Sequence, residues 1–122
     1  MNNKAIGIFD SGVGGLTVLK EIQKILPNEN LIYLGDTKNF PYGNRSKDEI
    51  IQFSINNVQT LIEKDVKIII IACGTATSQA IEILRSQFEI PIIGIIEPTV
   101  EYVKKQKYCT QNTTKKAVKH WL

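Results

Sequence analysis

The feature that most constrains the fold is a run of four isoleucines, Ile68–Ile71, that ends abruptly near Cys73. Unbroken runs of β-branched side chains favour a strand covered on both faces, as in a parallel sheet. Gly74 permits a sharp turn after this strand, and Thr75 is expected to cap a helix. The stretch therefore predicts a buried strand, a tight turn and a helix start, with Cys73 at the junction.

The chain up to about residue 98 alternates strands with amphipathic helices. The predicted strands are residues 5–9, 31–34, 66–72 and 91–96. The first helix begins at Leu16, the second follows a Ser46…Glu49 capping box, and the third runs from about Thr75 to Phe88. The inward face predicted for the first helix is Leu16, Leu19, Ile22, Ile25 and Leu26. This alternation predicts an α/β fold, a parallel four-stranded sheet with helices on both faces.

Polar residues stand where each predicted strand ends. They are Asp10-Ser11, Asp36-Thr37, Cys73-Gly74-Thr75 and Glu97. The carboxyl ends of parallel strands share one edge of the sheet, which is where open α/β sheets bind ligands. We therefore expect a functional site along this rim.

Cys73 allows two interpretations. A thiol near the positive end of a helix favours the thiolate form, which is the reactive one. A buried structural cysteine is the alternative, and the residues alone leave both open. A phosphatase-type loop is excluded because position 79 is Gln79 rather than arginine, and a redox pair is excluded because position 76 is Ala76.

The first predicted strand is followed by a glycine-rich turn, residues 12–15. The dinucleotide fingerprint would need glycine at position 17, where the chain has Thr17, and a Walker A lysine is absent too. Free backbone N–H groups in such a turn suit a small anion such as a carboxylate, although a tight connection is an equal explanation. Asp10, just before the turn, is a candidate general base, an orienting group or a helix-capping acid.

The charge of the chain is unevenly distributed. The overall net charge is +3, but residues 1–101 carry −3 and residues 102–122 hold six lysines and no acid. We therefore divide the chain into an α/β domain, 1–98, and an atypical basic tail, 99–122, expected to be solvated or disordered. The pattern does not predict nucleic-acid binding.

No apolar run approaches the ~20 residues of a membrane span, and the N-terminus does not resemble a signal peptide.

Two widely spaced cysteines do not predict a disulfide framework or a zinc site. Together with the other features they favour a reducing, cytoplasmic location.

Four stretches resemble the glutamate racemase family of the aspartate/glutamate racemase superfamily. They are residues 7–18 (GIFDSGVGGLTV), 33–37 (YLGDT) with Pro41-Tyr42-Gly43, 72–76 (ACGTA) and 94–98 (GIIEP). Their order and spacing follow the family over roughly residues 5–98. The resemblance implies one half of the family's two-domain fold.

The resemblance also implies an activity: cofactor-independent interconversion of L- and D-glutamate, which supplies D-glutamate for peptidoglycan. In the family two cysteines flank the substrate α-carbon, one removing its proton and the other protonating the opposite face. By position Cys73 corresponds to one of these, and Asp10 would orient it and its proton. The implied substrate-binding residues are Asp10, Ser11, Tyr42, Gly43, Gly74 and Thr75. No metal or cofactor is implied.

The chain departs from the family in two ways. Gly74 replaces the usual asparagine, and the chain ends at Leu122, before the family's second half. Cys109 comes too early, and without a preceding apolar strand, to be the second cysteine. We therefore expect a truncated racemase, inactive alone. Two alternatives remain. One is a racemase for another acidic amino acid such as aspartate, and the other is a non-catalytic remnant that binds a carboxylate or a partner. The expected protein partner is a second copy of the chain or a missing second half.

Overall fold

Strands and helices alternate along the chain in the computed structural model, which describes residues 3–95. The elements are β1 (Ala5–Asp10), α1 (Leu16–Ile25), β2 (Leu31–Gly35), α2 (Lys47–Glu63), β3 (Val66–Ile71), α3 (Gly74–Gln87) and β4 (Ile92–Gly94). Two short 3₁₀ turns, Thr37–Asn39 and Tyr42–Asn44, connect β2 to α2. This is the predicted order. The predicted end of the fourth strand at residue 96 lies outside the described residues.

The four strands form one parallel sheet in the order β2-β1-β3-β4. The predicted α/β class and its four-stranded parallel sheet are confirmed. The chain moves from β1 to β2 on one side, then crosses back to β3 and on to β4. Since such crossovers are right-handed, α1 covers one face of the sheet and α2 with α3 cover the other.

The main core lies between the sheet and the α2–α3 pair, which pack against each other. Phe9, Ile69 and Ile71 from the strands meet Leu61 of α2 and Leu84 of α3, and all five are fully buried. Side chains of the long isoleucine strand thus supply the centre of the core, as its composition predicts.

Helix α1 forms where predicted, but its apolar face is not buried. None of its residues is buried, and Ile25 is 72% exposed. The predicted inward packing is therefore wrong in extent. The physical reason is that, among residues 3–95, α1 is the one helix on its face and packs mainly on β2, an outer strand of the described sheet, whereas α2 and α3 support each other.

The start of α2 is set by the predicted capping box. Ser46 Oγ accepts a hydrogen bond of 3.2 Å from Glu49 N, and a Glu49 carboxylate oxygen accepts one of 3.2 Å from Ser46 N. Two otherwise unpaired N–H groups are satisfied reciprocally. The box fixes the point at which the 42–44 turn leads into α2.

Candidate active site

Asp10 and Cys73 lie at the ends of neighbouring central strands. Asp10 is the last residue of β1, and Cys73 follows β3 by two residues. Ala72 N still donates to Phe9 O, at 2.8 Å, so the two strand ends stay together up to this point. The helices that follow them leave toward opposite faces. A crevice opens where such neighbours diverge, and α/β proteins bind ligands there.

The carboxylate of Asp10 is held inside the glycine-rich turn. Its Oδ2 accepts hydrogen bonds from Gly15 N at 2.9 Å, Gly12 N at 3.2 Å and the Tyr33 hydroxyl at 3.3 Å. Only 4% of Asp10 is exposed. The expectation that the turn's N–H groups are free for a substrate anion is wrong for Gly12 and Gly15, because the chain's own carboxylate already fills that position. The contact with Gly15, which precedes α1, agrees with the capping alternative.

All three of these donors use the same oxygen of Asp10. Within residues 3–95 its Oδ1 receives no hydrogen bond. A carboxylate fixed through one oxygen is rigid, and its second oxygen retains its acceptor capacity. The orienting role expected of Asp10 is therefore compatible with its capping role.

Tyr33 is a site residue that the sequence analysis missed. Its single hydroxyl hydrogen is shared between Gly12 O at 2.9 Å and Asp10 Oδ2 at 3.3 Å, so Tyr33 ties β2 to the glycine turn. Burial, together with the neighbouring Asp10 charge, raises the pKa of Tyr33 to about 12. No local sequence signal marks Tyr33 apart from its place near the end of a strand.

Cys73 begins α3. It is the N-cap residue, and its Sγ accepts a hydrogen bond of 3.4 Å from Ala76 N. The predicted cap, Thr75, is instead the second helical residue, and β3 ends at Ile71 rather than Ala72. The correction arises because the sulfur occupies the capping position that a serine or threonine oxygen usually takes. Cys73 is only 7% exposed and belongs to the core cluster, so a structural contribution accompanies its terminal position.

Gly74 and Thr75 form the first turn of α3, where backbone N–H groups have no partners inside the helix. A Cβ atom added at Gly74 would meet no heavy atom within 4 Å, and its φ is not positive. Gly74 is thus required neither by lack of space nor by an unusual backbone conformation.

Tyr42 is buried beneath the rim rather than presented at it. It is 1% exposed, and its ring packs at 6.3 Å from that of Phe9 and at 5.6 Å from that of Phe53. Its hydroxyl donates to Asp36 Oδ2 at 2.5 Å and accepts from Asn57 Nδ2 at 2.9 Å. Gly43, the next residue, is exposed.

Asp36 is the centre of this hydrogen-bonded group. Asn57 donates to its Oδ2 at 3.1 Å, and Asn39 donates to both of its oxygens at 3.1 Å. Burial opposes the charge of Asp36, but the hydrogen bonds from Tyr42, Asn39 and Asn57 outweigh it and lower the pKa. The pKa of Tyr42 is raised above its usual value, mainly because the residue is buried. The hydrogen bond to Asp36, the negative charge of Asp36 and the nearby charge of Cys73 raise it further.

Comparison with known proteins shows the family of the chain. The model of the Asp/Glu/Hydantoin racemase family matches residues 6–116. The chain belongs to this racemase family. It is 52% identical over 98 residues to a glutamate racemase of Lactococcus lactis, an alignment that covers 80% of this chain and 36% of the relative.

Two solved racemase structures show the same fold. The glutamate racemase of Aquifex pyrophilus superposes with a TM-score of 0.80 at 49% identity, covering 84% of this chain and 41% of the other. That of Francisella tularensis, in complex with D-glutamate, gives 0.81 at 42% identity, covering 87% and 40%. The predicted family resemblance is confirmed, and the chain spans about two-fifths of the length of these relatives.

A small cavity lies at the rim. It measures about 80 Å³ and is lined by Gly12, Val13, Thr37 and Phe40. Pockets that enclose a small ligand generally measure roughly 300 Å³ or more, so this cavity alone does not enclose one. Ser11, a predicted binding residue, is half-buried and directly precedes Gly12 in the chain.

Several predicted features fall outside the described residues: Glu97, Cys109 and the boundary at residue 98. Across residues 3–95, the His, Cys, Asp and Glu side chains do not come together in a group of three or more that could hold a metal ion. Over the same range, none of the helices is both long and apolar enough to cross a bilayer.

Proposed function

We propose that this chain is the Cys73-bearing half of a cofactor-independent glutamate racemase that serves peptidoglycan synthesis in the cytoplasm. The observation that carries the proposal is the pairing of Asp10 and Cys73 at neighbouring strand ends, in a chain of the racemase family. Each is held by backbone N–H groups, Asp10 in the glycine turn and Cys73 at the start of α3. The group that removes a proton is thereby fixed in place before substrate arrives.

The chemistry assigned to these residues is one half of a proton exchange. Cys73, as thiolate, takes the α-proton of glutamate to give a thiol and a substrate carbanion, and Asp10 orients the sulfur and its proton. Inversion requires an acid that protonates the opposite face of the same carbon. Among residues 3–95 Cys73 is the one cysteine, so the second acid must come from elsewhere.

The substrate is held by the remaining predicted residues. Backbone N–H groups of Gly74 and Thr75 at the start of α3 suit a carboxylate, because a helix N-terminus carries partial positive charge. Ser11 and the Tyr42–Gly43 segment lie on the neighbouring loops of the same rim. Two separated groups of donors fit the two carboxylates of an acidic amino acid. The partner expected to complete the site is the second half of the fold or a second copy of the chain.

The direct test is protection of Cys73 by substrate. The purified chain is treated with iodoacetamide alone or with L-glutamate, D-glutamate, L-aspartate or succinate, and alkylation is mapped by mass spectrometry. Glutamate is expected to slow alkylation of Cys73 more than aspartate or succinate does, and not that of Cys109. Equal rates in all samples would overturn the proposal, and stronger protection by aspartate would reassign the substrate.

Net racemisation is expected to be absent. The circular dichroism signal of L-glutamate incubated with the chain should stay constant, because one base alone cannot invert the α-carbon. Turnover that disappears on Cys73→Ala would show instead that the chain contains its own second acid.

A further inference from the structure

We infer that Asp36 and Asn57 are positioning residues, which fix the buried Tyr42 side chain and through it the exposed backbone of Gly43, the part of this turn that is open to a substrate. The inference deepens the proposed function and relies on it for the identity of the ligand. The sequence placed Asp36 on the expected rim without giving it a role, and it did not point to Asn57.

The hydroxyl of Tyr42 has no proton left for a substrate. A tyrosine hydroxyl has a single donor hydrogen, and here that hydrogen is directed to Asp36 Oδ2 at 2.5 Å. The hydroxyl oxygen of Tyr42 in turn accepts a hydrogen bond from Asn57 Nδ2, at 2.9 Å. Since the whole of Tyr42 is only 1% exposed, it acts on the rim through the exposed residue that follows it, Gly43, rather than through its own hydroxyl.

The hydrogen-bonded group joins three parts of the fold. Asp36 follows β2, Asn57 lies in α2, and Tyr42 opens the turn between them. Asn57 Nδ2 donates to both Tyr42 and Asp36, so the three side chains form a closed triangle of bonds of 2.5, 2.9 and 3.1 Å. A satisfied, partly buried network of this kind favours one arrangement of its members.

The backbone of the turn follows the Tyr42 side chain. Arg45 N donates to Tyr42 O at 3.0 Å, which closes the turn over Gly43. Gly43 is exposed, and a Cβ added to it would meet no heavy atom within 4 Å, so its position is set by Tyr42 on one side and by this bond on the other. Loss of Asp36 should release the turn while leaving the sheet intact.

The test measures local order by amide hydrogen exchange in the 122-residue chain without ligand. Asp36→Leu is expected to accelerate exchange of the Arg45 amide about tenfold, the equivalent of one lost hydrogen bond. Asp36→Asn keeps an acceptor for Tyr42 and should remain close to wild type. The matched control is Glu29→Leu, a carboxylate removed from the opposite edge, where Glu29 pairs with Lys67.

The amide of Ile69, in the central strand β3 and bonded to Pro91 O, reports global stability in the same samples. Faster exchange of the Arg45 amide with unchanged exchange of the Ile69 amide supports the inference. Equal acceleration of both amides, or of neither, would overturn it. If Asp36→Leu does not fold, Asn57→Ala removes two of the three bonds while keeping the carboxylate, and the same comparison decides.

A second measurement adds the ligand. Asp36→Leu is expected to weaken glutamate binding about tenfold in an NMR titration, whereas Glu29→Leu leaves it unchanged. Unchanged binding by Asp36→Leu would contradict the positioning role. Failure of the wild-type chain to bind glutamate would count against the proposed function, and the exchange comparison would still decide the role of Asp36.

Discussion

Gly15 stands where the side chains of two neighbouring strand ends leave no room for a Cβ atom. An added Cβ would lie 2.8 Å from Asp10 Cβ and 3.0 Å from Ala72 Cβ. Gly15→Ala is therefore expected to displace Asp10 and cost about 1–3 kcal/mol of stability, the usual range for overpacking. Urea denaturation measures the loss, with Gly74→Ala as the control, since a Cβ there has no neighbour within 4 Å. Equal stability of the two variants would contradict this steric account.

Gly74 also carries a prediction about binding. Gly74→Asn is expected to be accepted without loss of stability, because the position is open and its φ is not positive. The added amide can hydrogen-bond a substrate carboxylate, and a bond to a charged group contributes on the order of 1.5–3 kcal/mol. Glutamate titrations of the two chains compare them directly. Equal or weaker binding by the Asn variant would show that Gly74 is not a defect in the site.

At the scale of single elements, the start of α2 carries a pH-dependent bond. The Ser46 backbone and hydroxyl lower the pKa of Glu49 from its ordinary value of 4.5. A carboxylate with a depressed pKa stabilises the fold above its unfolded pKa, and this contribution is lost as pH falls through the folded pKa. An NMR titration should place Glu49 below 4.5, and Ser46→Ala should move it upward. An unchanged Glu49 titration in Ser46→Ala would mean that the capping box does not form in solution.

The helices on the two faces of the sheet should respond differently to truncation. Leu84→Ala in α3 removes a fully buried side chain and is expected to cost about 2–5 kcal/mol. Ile25→Ala in α1 removes one that is 72% exposed, so its cost should stay within about 0.5 kcal/mol. Chemical denaturation of both variants gives the comparison. A large loss from Ile25→Ala would show that α1 is covered in solution.

How far sequence reasoning reached depends on the range of each interaction. The isoleucine run, the capping box and the strand–helix alternation are local patterns, and they predicted β3, the start of α2 and the α/β class. Tyr33 and Asn57 could not be found in this way, because their hydrogen bonds reach Gly12 and Asp36 across 21 residues of chain. The capping role of Cys73 was missed because sulfur rarely takes it. Burial of α1 was overestimated because periodicity shows which face is apolar, and not what covers it.

At the scale of the whole molecule, the described core is contributed by residues between 5 and 92. A chain ending at residue 98 is therefore expected to fold, which would support the predicted division between residues 1–98 and 99–122. Far-ultraviolet circular dichroism and thermal melting of the two lengths provide the comparison. A shortened chain that melts without cooperativity would place the boundary later.

Asp10 occupies the N–H groups of the glycine-rich turn, so replacing Asp10 would change which anion this turn can bind. In Asp10→Ala the N–H groups of Gly12 and Gly15 would lose their carboxylate partner while the turn keeps its sequence. Acetate or phosphate added to that variant supplies the missing anion from solution, a form of chemical rescue. A single substitution thus separates a turn that carries its own anion from one that must bind it from solution.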